Sequence, residues 1–337
     1  MLLITHKLRE ILALADHVTV MRQGTVVLDC PVAQTSLDGL AQAMVGREVR
    51  LGRTGAGVDG GVDAGTAASS GAVPRPEAPV LLRARGLTWR DALGVARLSE
   101  VSLTLHAGEI VGVAGVSGNG QQELLAALSG EDLRAPATSI RLRGQPVAGL
   151  PPRRRRAEGL HFVPEERLGR GAVPTLTLAA NTLLTRTETV SPQGWVRTSA
   201  VRGLAERIIQ RFQVKAGGPQ APAKSLSGGN LQKVIVGREI DASPRCLVIA
   251  QPTWGVDVGA AALIRRELLA LRDAGCAILV VSEELDELFE ISDRLVVIAR
   301  GRLSPALPVA EATVERIGSW MSGLWTAEVA GDAHAAA

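Results

Sequence analysis

Residues 115–122 read Gly115-Val116-Ser117-Gly118-Asn119-Gly120-Gln121-Gln122, the outline of a phosphate-binding loop. The chemistry of such a loop follows G-x-x-x-x-G-K-[ST]. Glycines let backbone N–H groups wrap phosphate oxygens, lysine reaches the terminal phosphates, and a hydroxyl holds Mg²⁺. Here the glycine frame is kept, but Gln121 stands at the lysine position and Gln122 at the hydroxyl position. A second element, Leu226-Ser227-Gly228-Gly229-Asn230, runs into Gln232-Lys233-Val234. Ser-Gly-Gly ahead of a helix offers a hydroxyl and free N–H groups at the positive end of the helix dipole. Read alone it is an ordinary serine-capped helix; beside the glycine loop it reads as a second anion element.

The elements that must position these residues alternate. Val80–Arg83 and Leu98–Leu105 read as early strands, with a turn at His106-Ala107-Gly108. Ile110–Ala114 is a buried strand feeding the glycine loop, and Gln121–Leu128 a helix after it. Leu160–Val163 is a further strand, while Val201–Phe212 and Leu231–Ile240 have helical periodicity. Cys246–Ala250 and Ala277–Ser282 are continuous apolar runs, as in parallel strands covered on both faces. The class is α/β, with a helical insertion around residues 170–225.

Composition closes other routes. The 337 residues are 46% hydrophobic and 21% charged with a formal charge of +3, ordinary for a globular chain with a sizeable core. No tyrosine and three phenylalanines disfavour single-strand nucleic-acid binding by base stacking. The run Arg153–Arg156 reads as a solvated helix start rather than a nucleic-acid patch. Cys30, Cys246 and Cys276 have neither metal-ligand nor disulfide spacing and read as small hydrophobes. No apolar run approaches the roughly 18–20 residues of a membrane span. His106 and His161 have no ligand-spaced partners.

An internal repeat organises the chain. ITHKLREILALADH at 4–17 lies over VSEELDELFEISDR at 281–294 without a gap, each followed by a short apolar strand and a glycine, Gly24 or Gly301. Residues 1–45 are therefore read as the last strand–helix–strand piece of a preceding domain whose body this chain lacks. Residues 46–79 are a flexible linker closing in Pro74, Pro76 and Pro79. Residues 80–325 form the second domain and 326–337 a disordered tail.

This combination resembles the ATP-binding cassette (ABC) family, most closely the C-terminal half of tandem-cassette ATPases that drive bacterial import of simple sugars and nucleosides. The resemblance implies a P-loop NTPase sheet core with an antiparallel β subdomain and a helical subdomain. It assigns nucleotide contact to Gly115–Gln122. Pro164-Glu165-Glu166-Arg167 resembles the Q-loop of the sugar/nucleoside branch, with Glu165 its functional residue. Leu226, Ser227, Gly228, Gly229 and Asn230 match the signature motif. Pro252-Thr253-Trp254-Gly255-Val256-Asp257 matches the D-loop, with Asp257 its carboxylate. Ala250-Gln251 ends the Walker B strand where the family has Asp-Glu, and Ser282-Glu283 holds the switch position where it has a hydroxyl–histidine pair. In the N-terminal copy that pair is intact as Thr5-His6.

The departures fall on one function. Phosphoryl transfer needs a cation on the phosphates, a metal and a residue that positions water. Gln121 removes the cation, Gln122 and Ala250 two metal contacts, Gln251 the carboxylate that polarises water, and Glu283 puts an anion near the γ-phosphate. Each lost charge-assisted hydrogen bond weakens binding by about 1.5–3 kcal/mol. In the family two cassettes pair head-to-tail, each ATP lying between one glycine loop and the other's signature. The resemblance thus implies a degenerate site at this loop and an intact signature that completes a partner's site, with Mg²⁺ only at the latter. Implied partners are a second ABC cassette, membrane permease subunits facing Gly171–Leu184 and, indirectly, a periplasmic or lipoprotein solute-binding protein. No nucleic acid is implied, and the location is peripheral, on the cytoplasmic face of the membrane. Alternatives are a truncated pseudo-ATPase that only binds nucleotide, and a non-transport ABC protein acting on ribosomes or DNA. Trp89, placed ahead of the first long strand, and Trp254 are candidates for stacking on adenine.

Overall fold

The computed structural model describes residues 2–5, 8–22, 24–36, 39–40, 42–43, 78–91, 93–186 and 195–325. The N-terminal unit holds helix α1 (Leu8–Leu14) and an antiparallel hairpin of β1 (His17–Arg22) and β2 (Thr25–Pro31). Ile11, Val18, Val20 and Leu40 form its small core, with Val258 packed against it. The strand expected ahead of α1 does not form: Leu2–Thr5 are irregular. The matching run Ala277–Ser282 is a strand because it hydrogen-bonds two parallel neighbours. Leu2 and Ile4 lack them and stay 89% and 91% exposed.

The second unit opens with β3 (Val80–Arg90) and β4 (Ala96–His106), both longer than the sequence indicated. Their pairing accommodates register shifts, so polar and glycine interruptions such as Gly86 continue the ladder instead of ending it. Next come β5 (Ile110–Ala114), α2 (Gln121–Ser129), β6 (Ile140–Leu142), β7 (Gln145–Pro146), α3 (Pro152–Ala157) and β8 (Leu160–Val163). The helical insertion carries α4 (Leu178–Leu183) and α5 (Thr198–Arg211) and passes into α6 (Gly228–Ile240). The chain continues as β9 (Cys246–Ala250), α7 (Val258–Asp273), β10 (Ala277–Ser282), α8 (Leu285–Ile291) and β11 (Arg294–Ala299). It closes with β12 (Arg302–Leu303), β13 (Leu307–Pro308) and α9 (Val314–Met321).

Two sheets result. The larger runs β12-β11-β5-β10-β9-β8, with β13 also on β11, and its five longer strands are parallel. Every residue of β5, β9 and β10 is buried, the reason these strands read as unbroken apolar runs. The smaller sheet, β4-β3-β6-β7, is antiparallel and shares a core with α2 through Leu87, Leu98, Leu124 and Leu128. The opposite face of the large sheet is covered by α5, α6 and α7 through Ile208, Val236 and Ile264. The repeat survives as geometry: α1 and β1 recur as α8 and β11, each shifted by 277 residues.

The arginine run in α3 is not simply a solvated face. Arg155 is fully buried, and its guanidinium donates to the carbonyls of Leu150, Ala127, Leu128 and Ala148. It thereby satisfies carbonyls at the C-terminal end of α2, where intrahelical donors run out. Burial without a carboxylate partner pulls its pKa down to about 10. Arg156 donates to buried Glu239, which also lies 2.9 Å from His161 Nδ1.

Candidate functional site

Parallel strands end in loops at one edge of a sheet, which is where α/β proteins gather ligand-binding residues. The C-terminal ends of β5, β8, β9 and β10 bring Gly115, Ser117, Gly118, Gln121, Gln122, Glu165, Ala250, Gln251, Ser282 and Glu283 into one cleft. Residues assigned from the sequence to the glycine loop, Q-loop, Walker B end and switch thus line one cleft. Val116 and Asn119 shape the loop without lining the cleft, and Gly120 caps α2 with φ 109°, a conformation that favours glycine.

The loop is closed by its own side chains. Gln121 is 9% exposed; its Nε2 donates to the Val116 carbonyl at 2.8 Å, and its Oε1 accepts from the Asn119 N–H at 3.0 Å. One amide therefore engages both a carbonyl and an N–H of the loop. The Asn119 side chain donates to the same Val116 carbonyl and accepts from the Arg300 N–H, while the Gly301 N–H donates to the Asn119 carbonyl. These bonds tie the loop to the turn between β11 and β12.

The electrostatics of the cleft are acidic. No lysine or arginine is among the described residues that line it. Burial first, then the like charges of Glu166 and Glu283, raises the pKa of Glu165. Gln251 is held at φ 47°, a sparsely populated backbone state for a non-glycine residue. Its N–H donates to the Val281 carbonyl, and its Oε1 lies 3.3 Å from both the Glu283 N–H and the Ser282 hydroxyl. The better-placed acceptor of that hydroxyl is Glu287 Oε2 at 2.8 Å. Glu287 is 3% exposed, and burial raises its pKa. Sequence reading missed it, because a carboxylate in a run with Glu283, Glu284 and Asp286 looks like part of a solvated face.

The Ser227–Asn230 turn lies apart from this cleft. The helix begins at Gly228, three residues before the periodicity indicated, because two glycines carry no apolar signal. Ser227 is the N-cap residue, but its hydroxyl accepts from Asn230 Nδ2 at 2.9 Å and caps no backbone N–H. The first-turn N–H groups are consequently left to an outside acceptor. Asn230 Oδ1 accepts from the Lys215 N–H, fixing the turn from behind. Leu226 is half-buried against the helical core. The D-loop packs alongside: a Cβ on Gly229 would lie 3.6 Å from Val256 and 3.8 Å from Asp257 Oδ2. Asp257 itself caps α7, accepting from the Ala260 N–H at 2.9 Å.

Three further residues complete the comparison with the sequence. His6 lies outside the described residues. Trp89 sits near the end of β3 rather than ahead of a strand, with the Arg134 guanidinium 4.5 Å over its ring, and it does not line the cleft. Trp254 is 55% exposed beside Glu283, Glu284 and Asp286, in a shallower concavity next to the cleft.

Comparison with known proteins agrees with this geometry. Residues 98–254 match the ABC transporter domain family. The nucleoside import ATP-binding protein NupA of Lactococcus lactis subsp. cremoris is 36% identical over 324 residues, 96% of this chain and 60% of that protein. The guanosine import ATP-binding protein NupO of Bacillus subtilis is 36% identical over 92% of this chain and 58% of its own length. The glucose import ATP-binding protein TsgD13 of Haloferax volcanii is 38% identical over 95% and 56%. The chain thus spans somewhat over half the length of these curated relatives. Among solved structures, the ATP-binding subunit of an ABC transporter superposes with a TM-score of 0.60 at 19% identity, covering 72% of this chain and 99% of that one. A dimeric cassette bound to ADP and phosphate, MJ0796, gives 0.60 at 19%, covering 68% and 99%. With the glycine loop and Ser-Gly-Gly turn placed as described, residues 98–254 of this chain form an ATP-binding cassette (ABC) transporter domain.

Proposed function

We propose that this chain is an ATP-binding subunit of an ABC importer for nucleosides or simple sugars. Residues 1–45 are the tail of a first cassette, 46–79 a linker, 80–325 a second cassette and 326–337 a tail. The import-protein relatives support the transport class, and Pro164-Glu165-Glu166-Arg167 supports the sugar/nucleoside branch. Its partners are permease subunits, a second cassette and, through the permease, a solute-binding protein. Among the described residues no helix is long and apolar enough to cross a membrane, in keeping with peripheral attachment to permease subunits at the cytoplasmic face.

Within that assembly the chain's own glycine loop is a degenerate site, and its Ser227–Asn230 turn completes a partner's. The observation that carries this reading is the contrast between the two. A magnesium triphosphate does not fit the cleft well: Gln121 engages the loop from within, Gln122 and Ala250 stand at the metal positions, and Glu165 and Glu283 repel phosphate. The Ser227–Asn230 turn keeps open N–H groups, so ATP and Mg²⁺ belong between it and a partner's lysine-bearing loop. The test is Mg²⁺-dependent phosphate release by this chain alone and mixed with a cassette whose glycine loop carries lysine. Turnover appears only in the mixture and drops at least about a hundredfold with Ser227→Arg, as loss of a positioned site element does. A mixture no faster than the companion cassette alone, or one indifferent to Ser227→Arg, rejects the reading.

A further inference from the structure

Arg167, two residues beyond Glu165, joins three elements that the motifs treat separately. Its Nε donates to Gln232 Oε1 on α6 at 3.1 Å, and Gln232 Nε2 donates onward to the Pro252 carbonyl at 3.1 Å. Its Nη1 approaches the Gly255 carbonyl at 3.4 Å, and its guanidinium carbon lies 5.8 Å from the Trp254 ring centroid. On the other side it is pressed against the signature turn, since a Cβ on Gly228 would come within 2.5 Å of Nη1. A side chain at 228 would have to push the Arg167 guanidinium aside.

The charge is also unusual. No carboxylate pairs with Arg167 among the described residues, and its Nη2 is buried without an acceptor. Burial alone, with no compensating anion, lowers its pKa. Buried guanidinium groups are ordinarily matched by carboxylates or carbonyls, as Arg155 and Arg238 are here. A guanidinium held only by neutral acceptors, with one nitrogen left over, adds positive field beside an uncapped helix N-terminus.

We propose that Arg167 is a positioning residue for the composite site: it locks the Ser227–Gly229 turn to the D-loop through Gln232 and Gly255, so the Q-loop arm and the signature move as one body. The inference rests on the reading of Ser227–Asn230 as a trans-acting element. Arginine is needed because its planar fork reaches two acceptors while stacking on an indole, which lysine does not reproduce.

The experiment measures steady-state ATP turnover of this full chain mixed with a lysine-bearing companion cassette. Arg167→Met lowers kcat about tenfold or more while KM for ATP moves less than about threefold, the signature of an interaction realised after binding. Arg167→Lys recovers less than about a third of that loss. Gln232→Met produces a similar loss, and the double variant is no worse than either single one, because both remove one bridge. Should Arg167→Met not fold, Arg167→Lys decides alone: wild-type kcat at an unchanged melting temperature overturns the proposal. Additive losses from Arg167→Met and Gln232→Met, or an effect confined to KM, overturn it too. Ser227→Arg separates the two levels. If it leaves turnover intact, the trans-site reading fails; if it abolishes turnover while Arg167→Met does not, only the role of Arg167 fails.

Discussion

Two helices in this chain start at glycine-bearing turns, and their surroundings have opposite sign. The start of α2 lies behind a glycine loop whose Asn119 N–H is engaged by Gln121, and Glu165 and Glu283 share its cleft. The start of α6 is uncapped, with Arg167 behind it and no carboxylate paired to that cation among the described residues. Helix dipoles and glycines are common to both, so geometry alone does not set their preference for an anion. The neighbouring side chains do, because a fixed dipole is worth about 1 kcal/mol and a close charge more.

The comparison breaks most decisively if the acidic end can be converted into the other kind. Gln121→Lys, Gln122→Ser, Ala250→Asp, Gln251→Glu and Glu283→His together restore a cation, two metal contacts, a water-positioning carboxylate and a neutral switch. Affinity for MgATP, read by titration calorimetry, rises by about 10³-fold or more, the product of several charge-assisted bonds. An unchanged affinity would mean that side-chain chemistry is not what separates the two ends.

Next in size is a change to the scaffold shared by both. Arg155→Met leaves carbonyls at the end of α2 without donors inside the core and destabilises the chain by about 3 kcal/mol, measured by urea unfolding. Loss well below 1 kcal/mol would show that the α2 end is satisfied in another way.

A smaller step sharpens the electrostatic part. Glu283→Gln removes one of the two like charges that hold Glu165 above its ordinary pKa, so that pKa falls and nucleotide affinity rises by about three- to tenfold. Carbon-13 NMR of the Glu165 carboxyl carbon reads the first effect directly; no movement there separates the two groups electrostatically.

The smallest effect is in pH dependence. Glu287 has a folded-state pKa raised by burial, so the folded chain binds more protons than the unfolded one above the ordinary glutamate range. Stability is therefore lost as pH rises from that range through the raised value. Glu287→Gln, which stays neutral, flattens this decline in thermal melts and is more stable than wild type on the neutral side. A decline that persists in the variant belongs to other groups, Asp293 being the next buried carboxyl with a raised value.

Much of the large sheet was legible because its strands are buried on both faces. Ile110–Ala114, Cys246–Ala250 and Ala277–Ser282 are bounded in the structure where their apolar runs are. The antiparallel sheet was less so: β3 runs through Arg85 and Gly86, which alternate to solvent or bulge the ladder and look like a break. Leu2–Thr5 fail as a strand for a reason no local pattern holds, the lack of neighbours. In the site, the glycine loop and Ser-Gly-Gly turn were visible as spacings. The Gln121 latch, the Arg155 cap and the bridge from Arg167 to Gln232 were not, since each joins residues through the fold rather than through a periodicity. Arg167 stood inside a motif whose notice went to Glu165. The close approach to Gly228 comes from an arginine sixty-one positions away.

On the proposed reading, this chain retains the surface for a partner's nucleotide without the means to cleave its own. Steady-state phosphate release by the purified chain, with Mg²⁺ and ATP and no companion, tests it most directly. Release indistinguishable from buffer is expected. Mg²⁺-dependent release that persists unchanged in the Ser227→Arg variant would contradict it.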